Sequence, residues 1–276
     1  MIVKKQKMQQ RMKRITIHMV FYLIIASPFN ATAKTISIVA DLWPPFNGNP
    51  YSDFEGYMVD ITRAVFEAKG FEVRYIILPW TRAVSGTRSG IYTGIIGASK
   101  NDAKDFVFPQ EELARNVLAF YVLKGNPWRF KGIDSIKNIK LGTIAGYDYR
   151  SWLNEYIQKN SDISSRVQIV SGKRPLQRNI RKLLAGRIDV IVDNEAAIRW
   201  GAEGMGVLGD VQVAGYGEEP SYCYIAFSPS LPESESYAEL LSQGIVELRE
   251  NGNLQKILDK YGLIDWKDQH SVSEKK

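Results

Sequence analysis

Short apolar runs alternate with amphipathic stretches along most of the chain. Residues 36–40 predict a first strand, and residues 57–69 carry apolar side chains spaced for one face of a helix that ends at Gly70. This alternation is typical of α/β layers built on mainly parallel sheets. Further predicted strands cover 72–78, 93–96, 118–123, 140–144, 167–170, 189–192 and 221–227, and further helices cover 80–89, 149–159, 175–185, 194–202, 237–251 and 254–261.

The pattern repeats faintly within the chain. Residues 88–96 and 184–192 each read as a helix end, a glycine stop and a buried strand. We therefore expect two similar α/β lobes, with strand ends that face a shared crevice. Open α/β sheets bind their ligands in such crevices.

The N-terminal 33 residues have a different character from the rest. Six basic residues precede the apolar run 15–26, and Ala31 and Ala33 then supply a small-x-small cleavage site. This order is typical of a secretory signal peptide, so we expect cleavage after Ala33 and a periplasmic product. The alternative, a membrane anchor, is disfavoured because the apolar run is short for a hydrocarbon core of ~30 Å.

Composition narrows the classes of function. The six basic residues of 1–33 account for the whole net charge of +6, so residues 34–276 carry no formal net charge. This composition gives no sign of the basic surface that binds nucleic acids. Cys223 is the single cysteine, which excludes an internal disulfide and predicts a buried structural thiol. His18 and His270 lie outside the predicted folded body, which excludes histidine-based catalysis and His-ligated metal sites. We expect a monomeric binding protein without catalytic residues, metal or cofactor.

Six segments carry a more specific signal when they are taken in order. They are DLWPPF at 41–46, GYMVDI at 56–61, PW at 79–80 followed by 89–99, LGTIAG at 141–146, AGRID at 185–189 and GNLQKI at 252–257. Together they resemble the extracellular solute-binding proteins of family 3, the polar amino-acid binders that serve ABC importers. The resemblance spans nearly all of the chain after the predicted signal peptide.

The resemblance implies the type II periplasmic-binding-protein clamp, with two α/β lobes joined by two hinge strands. The first lobe is then discontinuous, 34–122 and 226–276, and the second covers 123–225. A small polar solute is captured by hinge closure. The closed form then docks on an inner-membrane ABC permease.

The resemblance also points to site residues, and here the chain departs from the family. The stretch that usually carries the Arg for a ligand carboxylate offers only Lys104, and the position of the Asp for the ligand amine holds Asn194, beside Asp193. Asp148 is expected to cap the helix after Gly146. A neutral or cationic ligand is therefore favoured over an acidic amino acid. The predicted ligand-binding residues are Trp43, Phe46, Tyr57, Trp80, Gly97, Ala98, Ser99, Lys104, Tyr147, Asp148, Asp193 and Asn194.

Two other functions stay open on the same scaffold. One is a carboxylate-based enzyme that resembles cyclohexadienyl dehydratase, because a carboxylic acid with a raised pKa can act without histidine. The other is a sensor that presents its ligand-bound form to a membrane receptor.

Overall fold

The computed structural model describes residues 34–101, 103–217 and 220–268, and the predicted signal peptide lies outside them. The chain from Thr35 onward forms one compact unit that contains two five-stranded sheets. The strands are β1 (Thr35–Ala40), β2 (Glu72–Ile77), β3 (Gly94–Ala98), β4 (Ala114–Asn116), β5 (Leu118–Leu123), β6 (Leu141–Ile144), β7 (Val167–Val170), β8 (Val190–Asn194), β9 (Val211–Tyr216) and β10 (Ser221–Phe227).

Helices cover the sheets. They are α1 (Tyr57–Glu67), α2 (Trp80–Arg88), α3 (Ser151–Asn160), α4 (Pro175–Leu184), α5 (Glu195–Gly204), α6 (Ser234–Glu250) and α7 (Asn253–Asp259), with short 3-10 turns at Ile133–Ile136 and Leu208–Asp210. None of these helices has both the length and the apolar character that a membrane crossing requires, as far as the described residues go.

The two sheets share one plan. The first has the order β2-β1-β3-β10-β4 and the second the order β7-β6-β8-β5-β9. In each, the first three strands run parallel, and the last two are antiparallel to their neighbours. The predicted α/β layers are confirmed, with antiparallel strands on one side of each sheet.

The two similar segments, 88–96 and 184–192, occupy equivalent places in the two sheets. β3 and β8 each occupy the third position, and each follows a helix that ends near a glycine with positive φ, Gly90 at 78° and Gly186 at 64°. Such backbone geometry favours glycine because it carries no Cβ.

The chain crosses between the sheets earlier than the expected lobe boundaries. β5 lies wholly in the second sheet, although we assigned 118–122 to the first lobe. β10 lies wholly in the first sheet, although we assigned 221–225 to the second. Both strands are apolar and buried, and an apolar run alone does not show which sheet it pairs with. The crossings fall at Val117 and between β9 and β10.

Some elements were not predicted or begin elsewhere. β4 has only three residues, and β9 is an edge strand of alternating burial, so neither gave a clear apolar run. Helix α3 begins at Ser151 instead of residue 149. The reason is local, because Arg150 has a left-handed backbone with φ of 76° just before the helix.

Candidate functional site

The inner parallel strands of both sheets end around one small cavity. Its volume is about 50 Å³. Its wall is formed by both halves of the protein, one half built on the first sheet and the other on the second. Its lining residues are Asp41, Trp43, Asn47, Trp80, Ile96, Gly97, Ser99, Asn116, Leu118, Tyr147, Asp148, Tyr149, Asp193, Ser221 and Cys223. The cavity therefore lies where open α/β sheets bind ligands, at the carboxyl ends of their strands.

Asp193 is a buried carboxylate on the second-sheet side. Its Oδ1 accepts hydrogen bonds from Trp43 Nε1 at 3.0 Å, across the cavity, and from the Asn194 backbone N–H at 2.7 Å. Its Oδ2 has no hydrogen-bond partner among the described residues. Burial raises the pKa of Asp193 to about 7, and the nearby charge of Asp41 acts in the same direction. The carboxylate thus has one buried oxygen without a hydrogen-bond partner among the described residues.

Asp41 is its counterpart on the first-sheet side and directly follows β1. Its Oδ2 accepts a hydrogen bond from Tyr147 Oη at 2.6 Å, a second contact across the cavity. Burial raises the pKa of Asp41 to about 6, although the Tyr147 hydrogen bond opposes the effect. Two of the hydrogen bonds that cross the cavity thus have a buried aspartate as acceptor.

Asp148 lies in the loop between β6 and α3, but it is not the N-cap of α3 that we expected. The residue at the N-cap position of α3 is Arg150, and Asp148 Oδ1 accepts from its backbone N–H at 3.0 Å and from Asn154 Nδ2 at 2.7 Å. Asp148 Oδ2 accepts from Ser99 Oγ at 3.2 Å, again across the cavity. The prediction that Asp148 caps this helix is therefore wrong, because its carboxylate binds the N–H of the residue before the helix and not an N–H of the first helical turn.

Aromatic side chains form much of the remaining wall. Trp80 and Tyr147 meet edge to face with ring centroids 6.4 Å apart, and Trp43 stacks on Phe46 at 4.1 Å. Gly97 has φ of 90°, a conformation that favours glycine, and lies against Trp43. These rings supply π faces of the kind that attract cations.

The structure brings together seven of the twelve predicted ligand-binding residues. Those in the cavity wall are Trp43, Trp80, Gly97, Ser99, Tyr147, Asp148 and Asp193. Phe46, Tyr57 and Asn194 instead line a neighbouring chamber, and Ala98 is buried in an apolar cluster. Asn194 serves as the N-cap of α5, accepting from the Ala196 N–H.

Lys104 is placed away from the cavity. Its side chain is exposed and does not belong to the cavity wall, so the structure does not support it as a substitute for the family's arginine. The reason is that residues 103–106 turn at the surface, with Ala103 and Phe106 directed into the core instead.

Several lining residues were missed by the sequence reasoning. Asp41 had a usable signal, because it is an acidic residue directly after a buried strand. Asn116 and Leu118 belong to the chain that crosses between the sheets, where alternate residues share a face. Cys223 is buried as predicted, and it also contributes to the wall.

The wall contains acidic residues but no basic ones. Three of its residues are aspartates, and none is Lys, Arg or His. Within the part of the chain that the structure describes, no three acidic, His or Cys side chains are grouped so as to hold a metal ion. The geometry is therefore that of a small pocket with aromatic sides and three aspartates in its wall.

Comparison with known proteins agrees with this arrangement. The profile of the bacterial extracellular solute-binding proteins, family 3, matches residues 36–264. The chain belongs to this family. Its members are binding proteins, so a substrate-binding role follows for this chain. No curated protein sequence matches it.

Solved structures show the same fold at low sequence identity. One, from work on glutathione import through GshT and the cystine ABC importer TcyBC of Streptococcus mutans, has 22% identity and a TM-score of 0.70, covering 86% of this chain and 99% of that chain. The L-arginine-bound substrate-binding protein AbpA of Streptococcus pneumoniae has 16% identity and a TM-score of 0.66, covering 83% and 94%. A histidine kinase sensor domain with similarity to periplasmic binding proteins has 20% identity and a TM-score of 0.68, covering 83% and 96%. The predicted type II clamp fold is confirmed.

Proposed function

We propose that this protein is the periplasmic substrate-binding component of an ABC importer, and that it captures a small polar solute that carries an amine. The observation that carries the ligand assignment is the buried cavity with Asp41 and Asp193 on opposite sides and no basic residue in its wall.

The chemistry of the wall favours a positive charge. A buried carboxylate without a partner is costly, and an ammonium group that pairs with it offsets that cost. Asp193 Oδ2 provides such an acceptor, and the aromatic rings add cation–π attraction. A ligand carboxylate, in contrast, would meet three aspartates and no arginine. The amine is therefore the group that the site recognises.

The size of the cavity limits the ligand. A buried apolar cavity of ~150 Å³ holds benzene, and the cavity here is about a third of that volume. We therefore expect a ligand of few heavy atoms in this closed arrangement. A larger amine requires the halves to move apart by hinge motion.

Matched compound pairs test the ligand class. A thermal-shift and calorimetric screen compares glycine with methylamine, alanine with ethylamine, and arginine with agmatine, so that each pair differs only by the carboxylate. The amine of a pair should bind at least as tightly as the amino acid. Tight binding of the amino acids with no binding of the amines would contradict the assignment.

Substitutions identify the group that holds the amine. Asp193→Asn should weaken binding by ~2–5 kcal/mol, because the amine loses its charged partner. Lys104→Ala should change affinity little, because its side chain is exposed and outside the wall. Equal effects of the two substitutions would contradict the assigned role of Asp193.

A second function is favoured by one observation. Asp41 and Asp193 have pKa values raised to about 6 and about 7, and these values suit a general acid and a general base at neutral pH. A dehydratase-like enzyme would use such a pair. Incubation of each ligand found in the screen, followed by mass spectrometry, separates the two functions, because only an enzyme converts its ligand to product.

Export and delivery complete the proposal. We expect signal peptide cleavage after Ala33, which N-terminal sequencing of the periplasmic fraction checks. Recovery of the uncleaved chain from membranes would count against export. Neighbouring genes for a permease and an ATPase, and loss of solute uptake on deletion of this protein, would support the importer.

A further inference from the structure

A second and much larger chamber lies beside the small cavity. Its volume is about 520 Å³, within the range of ordinary small-molecule sites. Tyr57, Arg115 and Tyr261 line it from the half that contains the first sheet, and Glu195 and Trp200 line it from α5 in the other half. A molecule held there would contact both halves.

The chamber is separate from the small cavity. The chain that crosses between the sheets divides them, because Asn116 and Leu118 line the small cavity whereas Arg115 and Val117 line the chamber. This alternation follows from the extended backbone, in which successive side chains point to opposite faces. The two sites can therefore take different ligands.

Arg115 gives the chamber its chemistry. Its side chain is partly buried, its Nε has no hydrogen-bond partner, and no acidic residue in 34–101, 103–217 or 220–268 forms an ion pair with it. The guanidinium is a planar donor that matches a carboxylate. The other charged residues of the chamber wall are Glu195, Arg199 and Glu203.

The aromatic wall adds an apolar requirement. The polar atoms of two of its side chains are used elsewhere, because Tyr261 Oη donates to Asp60 and Trp266 Nε1 donates to Glu112. What these side chains offer the chamber is therefore mainly ring surface. A ligand that suits both features has a flat apolar body and one anionic group.

We propose that this chamber is a second binding site, for a small aromatic monocarboxylate held by Arg115. It is independent of the proposed amine site, and each can fail without the other. The probe is benzoate, measured by calorimetry on the purified protein. Arg115→Gln should weaken benzoate binding by at least about tenfold, the factor that a charge-assisted hydrogen bond supplies, and Arg115→Lys should restore part of it.

Three controls decide the outcome. Arg166→Gln removes the same charge at an exposed position and should leave benzoate binding unchanged. Asp193→Asn should also leave it unchanged, and acetate should bind at least about tenfold more weakly than benzoate because it lacks the ring. Thermal unfolding without benzoate verifies that each variant folds.

The proposal is overturned if the wild-type protein does not bind benzoate at millimolar concentration, or if Arg115→Gln binds it as the wild type does. It is also overturned if Asp193→Asn abolishes benzoate binding, since benzoate would then occupy the small cavity. Equal affinities for acetate and benzoate would remove the role of the aromatic wall.

Discussion

Replacement of Asp193 by asparagine should make the protein more stable at alkaline pH while it impairs binding. The side chain is only 2% exposed, and an asparagine of the same shape keeps the acceptor for Trp43 Nε1 and for the Asn194 N–H. What the substitution removes is the buried negative charge. Stability and ligand affinity should therefore change in opposite directions.

The size of the effect follows from the pKa of Asp193. Folding raises it from the ordinary value of 3.8 to about 7, mainly through burial, and this difference corresponds to roughly 4 kcal/mol. Because the folded pKa is the higher one, the folded protein binds more protons than the unfolded chain between these two values. The free energy of unfolding therefore falls as pH rises from about 4 to about 7, and the loss is complete above that window.

Urea unfolding at a series of pH values from 4 to 8 measures this dependence. At pH 8 the Asp193→Asn variant should be more stable than the wild type by up to roughly 4 kcal/mol, and at pH 4 the two should nearly coincide. A weaker slope should remain in the variant because Asp41, with a pKa raised to about 6, still titrates.

The exposed Asp162 provides a matched control, because Asp162→Asn makes the same chemical change at the surface. It should leave both the stability and its pH dependence within about 0.5 kcal/mol of the wild type. A variant at Asp193 that is less stable than the wild type at pH 8, or that keeps the full pH dependence, would refute the buried-charge argument.

Two further predictions concern packing and the contact across the cavity. Gly244→Ala should destabilise the protein by about 1–3 kcal/mol in thermal unfolding, because the added Cβ would lie 2.4 Å from Val65 Cγ1, between α6 and α1. The control Gly209→Ala should change stability little, because its Cβ would meet open space. Tyr147→Phe removes the hydrogen bond to Asp41 and should raise the pKa of that carboxyl further, which NMR titration would detect; an unchanged or lower pKa would contradict the contact.

The element pattern was predictable from sequence because most strands here are continuous apolar runs. Strand pairing was not, and β5 shows why. Its residues are buried in either sheet, so nothing in the run itself indicates that it joins β8 instead of β3. The choice depends on contacts with residues far away in the chain.

A site residue was predictable only where a side chain suited to ligand binding stood at or near the end of a predicted strand. Asp193 lies near the end of the buried strand β8, Tyr147 follows the buried strand β6, and both residues lie in the cavity wall. Lys104 was inferred from its place relative to the family pattern, and a surface turn carries it away. Arg115 gave no signal, because its significance comes from what surrounds it in the folded chamber.

The buried aspartates also bear on how binding and closure are coupled. Asp41 and Asp193 are both buried in this structure, and burial raises the pKa of each. If the two halves close by the proposed hinge motion, ionised carboxylates would oppose that closure at neutral pH. A bound cation reverses the sign of this contribution, because it pairs with charges that water no longer screens. The amine ligand proposed above would thus have a differential affinity for the closed form, which is what a ligand needs in order to shift a conformational equilibrium. On that proposal, the same charge that makes Asp193 unfavourable for stability would make closure depend on an amine.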